Sequence, residues 1–271
     1  MTLPAVTSPA VTSPAAAGRS KRPRALVLTQ SATEGPGTLA EWLPAAGLDL
    51  DVVALWDGEP IPELGAFAAL VVLGGPQQAY DDSSAPWLAD VKELLRGAVR
   101  DEVPTLGICL GAQLLDEACG GRVERGVEGV EAGARLVAKR DASWDDELFA
   151  DVPFTPTVVQ WHEDAVVDLP PGAVLLASSP RYAHQAFRVG TRAWGLQFHI
   201  ETPPEMVRRW GVELAGPVLA AGLDPVALAE RAVDELPEVE ACWRPFVVRF
   251  ADVASGRGRT FLPLVPASSD S

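Results

Sequence analysis

The chain has 271 residues, of which 48% are hydrophobic and 22% are charged, a composition that predicts one globular domain with appendages and excludes a large multi-domain assembly. No stretch approaches the roughly 18 uncharged apolar residues that a membrane-spanning helix needs. The net charge of −15 argues against binding to nucleic acid or to an anionic membrane, because both depend on basic patches. We therefore expect no nucleic-acid partner and no membrane partner.

Residues 1–24 are predicted to form a disordered tail. They repeat Pro-Ala-Val-Thr-Ser twice and end in a basic stretch, a low-complexity composition that does not build a core. The positive charges follow the Pro- and Thr-rich stretch instead of preceding an apolar segment, so a secretory signal is not predicted. The 3 cysteines lack Cys-x-x-Cys spacing and predict neither a disulfide framework nor a zinc site. We expect a cytoplasmic protein without a metal ion or cofactor.

From residue 25 onward, short apolar runs alternate with amphipathic segments. The first four runs are typical of buried strands and lie at 25–28, 52–55, 69–73 and 103–108. Helical patterns follow three of them, at 36–46, from Pro86 onward and at 110–118. This alternation predicts βαβ units and a mostly parallel sheet with helices on both faces.

The second half of the chain carries more closely spaced runs. Those at 173–177, 185–189 and 193–198 are typical of antiparallel strands. Two further helices are predicted to begin at Thr202 and Asp224, because each of these capping-type residues is followed by proline.

Cys109 is the first candidate for chemistry. Residues 107–111 read Gly-Ile-Cys-Leu-Gly, between a predicted strand and a predicted helix. Glycines two residues before and after a nucleophile allow a sharp strand-to-helix turn, and the helix N-terminus favours a thiolate. A buried cysteine is more often a small core residue, which is our interpretation of Cys119 and Cys242. The two glycines favour a nucleophile at Cys109.

His199 and Glu201 are the candidates for a base and its orienting group, which a thiolate nucleophile needs. At extended spacing their side chains point to the same side of the chain. They follow a predicted strand, at the end where open α/β sheets place their active sites. His-x-Glu alone is a weak signal, but together with the turn at Cys109 it predicts a Cys-His-Glu triad.

Three separated motifs resemble the class I glutamine amidotransferase family, in particular the amidotransferase domain of GMP synthetases. They are Leu-Gly-Gly-Pro at 73–76, Gly-Ile-Cys-Leu-Gly-Ala-Gln at 107–113 and Gln-Phe-His-Ile-Glu at 197–201. The resemblance spans about residues 24–212. It implies an α/β fold of the flavodoxin-like type: an open, mostly parallel sheet with helices on both faces, plus a small antiparallel sheet.

The resemblance also implies a reaction. Cys109 would attack the side-chain amide of glutamine, His199 would pass the thiol proton to the departing ammonia, and Glu201 would orient the imidazole. The γ-glutamyl thioester would then be hydrolysed to glutamate. Glutamine or a γ-glutamyl compound is therefore the expected substrate.

A second group of residues is implied to bind the substrate. The backbone N–H groups of Leu110 and Gly75 would meet the oxyanion, in a loop where Gly74 and Gly75 leave no room for bulk. Gln113, one turn into the helix after the nucleophile, would help to hold the substrate amide.

The sequence departs from the family pattern in two places. Residues 161–164 read Trp-His-Glu-Asp where the family usually has Ser-His-Gly-Asp, a segment whose backbone helps to bind the amino-acid end of glutamine. Trp161 is expected either in the pocket or in the core, His162 either in the substrate loop or in a structural role, and His184 in a structural role. A bulky Trp161 favours a γ-glutamyl peptide or conjugate as the alternative substrate. Ile200 replaces a common proline, a change expected to alter rigidity more than chemistry.

The resemblance divides the chain into an amidotransferase domain at 25–212 and a helical extension at 213–271 packed on it. These last 59 residues are too few for a synthetase domain of ordinary size and contain no phosphate-cradling glycine loop. Ammonia is therefore expected to pass to a separate synthase partner or to be released. A catalytically silent regulatory or binding subunit is the alternative from another class, and the complete triad argues against it.

Overall fold

The computed structural model describes residues 22–258. The strands in this range are β1 (Arg24–Thr29), β2 (Asp49–Ala54), β3 (Ala69–Val72), β4 (Thr105–Ile108), β5 (Arg122–Arg125), β6 (Glu131–Leu136), β7 (Ala138–Lys139), β8 (Thr157–His162), β9 (Asp164–Asp168), β10 (Val174–Ser178), β11 (Ala186–Val189) and β12 (Ala193–Leu196). The α-helices are α1 (Leu39–Ala45), α2 (Trp87–Arg100), α3 (Leu110–Ala118), α4 (Pro204–Glu213), α5 (Ala215–Ala220) and α6 (Pro225–Ala254).

One central sheet organises the molecule, with the strand order β2-β1-β3-β4-β12-β11-β10-β7. The first five strands of this order run parallel, and the last three continue the sheet in antiparallel pairing. The order of the parallel strands is that of flavodoxin-like sheets, which bind ligands beyond the carboxyl ends of their strands. The predicted fold class is confirmed.

Hydrophobic residues cover both faces of the sheet. Along β1, Ala25 and Val27 belong to one buried cluster and Leu26 and Leu28 to the other. The first cluster includes residues of α1, α4 and α6, and the second includes residues of α2 and α3. Burial on both faces explains why β1 and β3 read as continuous apolar runs.

Helix α6 begins where the sequence predicts. The Asp224 carboxylate accepts hydrogen bonds from the N–H groups of Val226 and Ala227, both at 3.0 Å, and Pro225 occupies the first turn. This arrangement satisfies the otherwise unpaired donors of the helix N-terminus.

The C-terminal half of α6 closes the core. Trp243 and Phe246 are fully buried, and the Trp243 indole N–H donates to the backbone oxygen of Thr157 at 2.9 Å. Trp243 also packs on Phe149 and Phe198. These aromatic side chains therefore cover the core.

No helix within residues 22–258 is both long and apolar enough to cross a membrane.

The structure adds elements that the apolar runs did not predict. Residues 122–168 contain two antiparallel ladders, β5-β9 and β6-β8. The predicted antiparallel strands after residue 173 join the central sheet, where β12 lies parallel to β4. The turn after β12 is thereby brought beside the turn after β4.

Element boundaries shift by a few residues. Strand β1 begins at Arg24, and β2 begins at Asp49, ahead of the predicted run at 52–55. Residues 1–21 of the predicted tail and residues 259–271 of the predicted extension lie outside the described residues.

Candidate active site

Three turns meet at the carboxyl ends of adjacent parallel strands. Gly74 and Gly75 follow β3, Cys109 follows β4, and His199 follows β12. Gly75 and Cys109 line a cavity of about 740 Å³. This is the edge of the sheet where the fold class places a ligand.

Cys109 occupies a strained turn between β4 and α3. Its φ of 51° and ψ of −109° lie in a region that residues with a side chain rarely adopt. A Cβ on Gly111 would lie 1.9 Å from the backbone oxygen of Val72, and one on Gly107 would lie 2.5 Å from the backbone oxygen of Gly111. Both flanking glycines are therefore required by close backbone approach, and the thiol stands at the N-terminus of α3.

Two oxygens of one carboxylate hold the segment that carries His199. The Nδ1 atom of His199 lies 2.7 Å from Oε1 of Glu201, and Oε2 of Glu201 accepts from the Ile200 N–H at 2.9 Å. The His199 backbone is paired with Val159 in both directions, at 2.8 and 3.2 Å. The imidazole is therefore fixed in position and in orientation.

The electrostatic environment favours a protonated His199. Burial, the largest single influence, acts to lower the pKa of this buried imidazole, but the negative charges of Glu201 and Cys109 and the hydrogen bond to Glu201 raise it well above the ordinary value. The structure therefore brings the predicted nucleophile, base and orienting group together, with the imidazole between the sulfur and the carboxylate.

The turns after β3 and β4 present unpaired backbone donors. Within residues 22–258, neither the Gly75 N–H nor the Leu110 N–H donates a hydrogen bond. Gly74 is packed so closely that a Cβ there would lie 3.2 Å from Cε1 of His199 and 3.6 Å from Cβ of Cys109. Unpaired backbone N–H groups beside a nucleophile are the donors that an oxyanion needs.

Gln197 is a site residue that the sequence did not single out. Its side-chain N–H reaches the Cys109 sulfur at 3.9 Å, and its Oε1 accepts from the Gln113 amide at 3.2 Å. The same Gln113 amide donates to the backbone oxygen of Asp164 at 3.1 Å. Gln113 lines the cavity, as the resemblance implies, but its amide N–H groups serve the architecture of the site. Gln197 is the first residue of the motif Gln-Phe-His-Ile-Glu. Its place two residues before His199 is the sequence feature that could have indicated a role in the site.

Trp161 lines the cavity and is nine-tenths buried, and its indole N–H lacks a hydrogen-bond partner within the described residues. Its ring lies 6.1 Å from that of Trp210, which lies 4.5 Å from that of His199. Trp161 therefore belongs to both the core and the pocket.

His162 lines the same cavity, but both ring nitrogens face protein groups. Nδ1 lies 2.9 Å from the backbone oxygen of Asp164, and Nε2 lies 3.4 Å from a carboxylate oxygen of Glu131 without hydrogen-bond geometry. Glu163 is paired with Arg125. His162 therefore supports the pocket wall.

The remaining cysteines and His184 lie away from this constellation. Cys119 and Cys242 are half-buried free thiols, and burial raises the pKa of each to about 11. His184 bonds the backbone oxygen of Val166 at 2.9 Å through Nδ1. In the described part of the chain, no cluster of three or more His, Cys, Asp or Glu residues is arranged to hold a metal ion.

Comparisons with known proteins identify the family of this chain. The family model for class-I glutamine amidotransferases matches residues 39–208. A glutamine amidotransferase of known structure from Thermotoga maritima is 31% identical; the match covers 85% of this chain and 99% of that chain with a TM-score of 0.76. A second, from Methylobacillus flagellatus, is 28% identical over 87% of this chain and 96% of that chain, with a TM-score of 0.74.

A curated relative is longer. The glutamine-hydrolyzing GMP synthase of Staphylococcus aureus is 35% identical over 133 residues, which are 49% of this chain and 24% of the relative. The chain thus spans about a quarter of the length of the curated relatives that it matches first.

Proposed function

Because the chain belongs to the class I glutamine amidotransferase family, we propose that it hydrolyses the side-chain amide of glutamine through a thioester on Cys109. The observation that carries this proposal is the convergence of three side chains. A Cβ on Gly74 would lie 3.2 Å from Cε1 of His199 and 3.6 Å from Cβ of Cys109, and Nδ1 of His199 lies 2.7 Å from Oε1 of Glu201. A thiolate paired with an imidazolium is a ready nucleophile beside its own proton donor.

The first half-reaction forms the thioester. The Cys109 sulfur attacks the amide carbon, and the carbonyl oxygen becomes an oxyanion that the N–H groups of Gly75 and Leu110 stabilise. The His199 imidazolium then gives its proton to the amide nitrogen, the C–N bond breaks, and ammonia leaves.

The second half-reaction restores the enzyme. Neutral His199 takes a proton from water while the water oxygen attacks the thioester carbon. The C–S bond breaks, glutamate leaves, and Cys109 and His199 return to the thiolate and imidazolium pair. Glu201 holds the proton on Nδ1 in both steps, so that Nε2 serves the reaction.

The test measures glutamate and ammonia released from L-glutamine by the wild type, Cys109→Ala and Cys119→Ala. We expect Cys109→Ala to lose activity by about a thousandfold or more, and Cys119→Ala to retain it. An electrophilic glutamine analogue should add to Cys109 in the wild type, as seen by mass spectrometry. Background rates in all three proteins, together with no adduct, would overturn the proposal and support a catalytically silent subunit.

A γ-glutamyl peptide or conjugate is the second candidate substrate. The cavity of about 740 Å³ lies in the range of pockets for drug-sized ligands, larger than glutamine alone requires. Trp161 offers an unpaired indole N–H and an aromatic face on its wall. This assignment predicts a kcat/KM at least tenfold higher for γ-glutamyl peptides than for glutamine. Trp161→Ser should abolish that preference.

The fate of the ammonia distinguishes an amidotransferase from a simple hydrolase. The matched relative from Staphylococcus aureus is a GMP synthase that hydrolyses glutamine, and the present chain matches only a part of it. We propose a synthase partner in trans. A glutaminase rate that rises when a separately expressed synthase subunit is added supports it, and a rate that stays unchanged identifies a stand-alone hydrolase.

A further inference from the structure

Glu34 is a buried carboxylate beside the candidate base. It lies in the turn after β1, with 8% of its surface exposed. A Cβ built on Gly74 would lie 3.3 Å from Oε2 of Glu34 and 3.2 Å from Cε1 of His199. Both atoms therefore approach the same point beside Gly74, and the carboxylate lies on the side of the carbon edge of the imidazole and not at Nδ1, which faces Glu201.

The turn that carries Glu34 is built onto the triad. The N–H of Thr38 donates to the backbone oxygen of Glu201 at 2.8 Å. A Cβ on Gly37, which has a φ of 52°, would lie 1.9 Å from that same oxygen. Arg209 on α4 donates to the backbone oxygen of Thr33 at 3.0 Å. These contacts fix the backbone on both sides of Glu34 relative to Glu201.

Among the charges that affect the pKa of Glu34 most strongly, His199 is the attractive one. Burial is the largest cause that raises the pKa of Glu34, and the negative charges of Glu201 and Glu213 raise it further, whereas His199 lowers it. The Trp210 indole N–H also lowers this pKa, although it does not reach hydrogen-bond geometry. Burying a carboxylate beside two others costs stability, and the compensating attraction is directed at the base.

We propose that Glu34 is a positioning residue that acts through His199. Its negative charge stabilises the positively charged imidazolium from the side of Cε1, while Glu201 accepts the hydrogen bond from Nδ1. The inference rests on the proposed function of His199. Removal of the Glu34 charge therefore weakens the thiolate and imidazolium pair and leaves the substrate cavity unchanged, because Glu34 is not among the residues that line it.

The test compares Glu34→Gln, Glu34→Asp and the control Glu147→Gln. Burial also raises the pKa of Glu147, which lines a separate groove along α6. In Glu34→Gln we expect alkylation of Cys109 by iodoacetamide at pH 6.5 to slow about tenfold, and the alkaline limb of kcat/KM to move about one pH unit lower. KM for the better substrate should change less than twofold. Glu34→Asp should give an alkylation rate and an alkaline limb between those of the wild type and Glu34→Gln. Glu147→Gln should match the wild type in both measurements.

Alkylation of Cys109 does not require turnover. The alkylation rate can therefore be measured even if the protein hydrolyses neither glutamine nor a γ-glutamyl compound. Unfolding midpoints in urea check that each variant is folded. A folded Glu34→Gln with the wild-type alkylation profile would overturn the proposal. If Glu34→Gln does not fold, the Glu34→Asp profile decides: a shift supports the proposal, and a wild-type profile overturns it.

Discussion

Oε1 of Glu201 lies 2.7 Å from Nδ1 of His199, while its second oxygen accepts from the Ile200 N–H at 2.9 Å. The carboxylate thus binds the ring and the backbone of the same short segment. This double attachment fixes the ring rotation and places a proton on Nδ1, so that Nε2 is the nitrogen that the proposed mechanism uses to exchange a proton with Cys109.

Glu201→Gln is expected to lower kcat by roughly a hundred- to ten-thousandfold. The amide oxygen can still accept from Ile200, but the amide N–H group then faces Nδ1 and stabilises the other tautomer. The measurement is steady-state kinetics on the better substrate. Glu205→Gln, at an exposed glutamate in the first turn of α4, is the control, and equal losses in both variants would contradict the role of Glu201.

Selective alkylation should identify Cys109 among the 3 cysteines. Burial raises the pKa of Cys119 and of Cys242 to about 11, so both remain thiols at neutral pH. Beside Cys109, by contrast, stands His199, whose pKa is raised well above its ordinary value and which therefore favours a thiolate. Iodoacetamide at pH 7 should modify Cys109 first, as peptide mass spectrometry would show. The preference should fall at least tenfold in His199→Asn. Uniform labelling of all three cysteines would contradict the ion pair.

The parts of the fold that could be predicted from the sequence are those with a strong local signal. The run at 69–73 and the turn at 107–111 are marked by continuous apolar residues and by glycines, and the structure places both as predicted. Gly107 is required by a contact with Gly111 inside the turn, whereas Gly111 is required by a contact with Val72 of β3. The turn could be predicted because the spacing of the two glycines around Cys109 is itself a local sequence signal.

What the sequence could not show depends on distant segments. Glu34 sits in a polar run typical of a turn, and only the meeting of the turns after β1 and β12 brings it to His199. Strand β5 has a single buried residue, Val123, so no apolar run marks this strand. Gln197 reaches the Cys109 sulfur because β12 pairs with β4, a pairing that joins residues far apart in sequence.

The two kinds of glycine in this chain should respond oppositely to alanine. A Cβ on Gly111 would collide with the Val72 backbone oxygen at 1.9 Å, whereas a Cβ on Gly97 in α2 would make only an ordinary contact of 3.7 Å with Arg100. We expect Gly111→Ala to lower the free energy of unfolding by about 3 kcal/mol or more. Gly97→Ala should raise it by roughly 0.5–1 kcal/mol. Urea unfolding measures both, and a neutral Gly111→Ala would contradict the close approach of α3 to β3.

Asp116 on α3 should make stability fall as pH rises. Its side chain is fully buried, and neither carboxyl oxygen has a hydrogen-bond partner within the described part of the chain. Burial, followed by the charges of Glu117 and Asp168, raises the pKa of Asp116 to about 8. The nearby backbone N–H of Arg122 acts to lower this pKa, but it does not form a hydrogen bond with the carboxyl group. The unfolded chain releases this proton near pH 4 and the folded chain near pH 8. The stabilisation is therefore complete below about pH 4 and is lost as pH rises towards about 8.

Asp116→Asn removes this titration. An amide is neutral at every pH, as the protonated carboxyl is in the folded wild type, so the variant should gain stability relative to the wild type as pH rises from about 4 to about 8, up to a bound of about 5 kcal/mol. Urea unfolding at a series of pH values measures the difference, and Asp90→Asn, at an exposed position on α2, is the control for a changed surface charge. A difference between Asp116→Asn and the wild type that stays constant over this range would show that Asp116 ionises equally in both states. The charge at this site would then already be compensated in the fold.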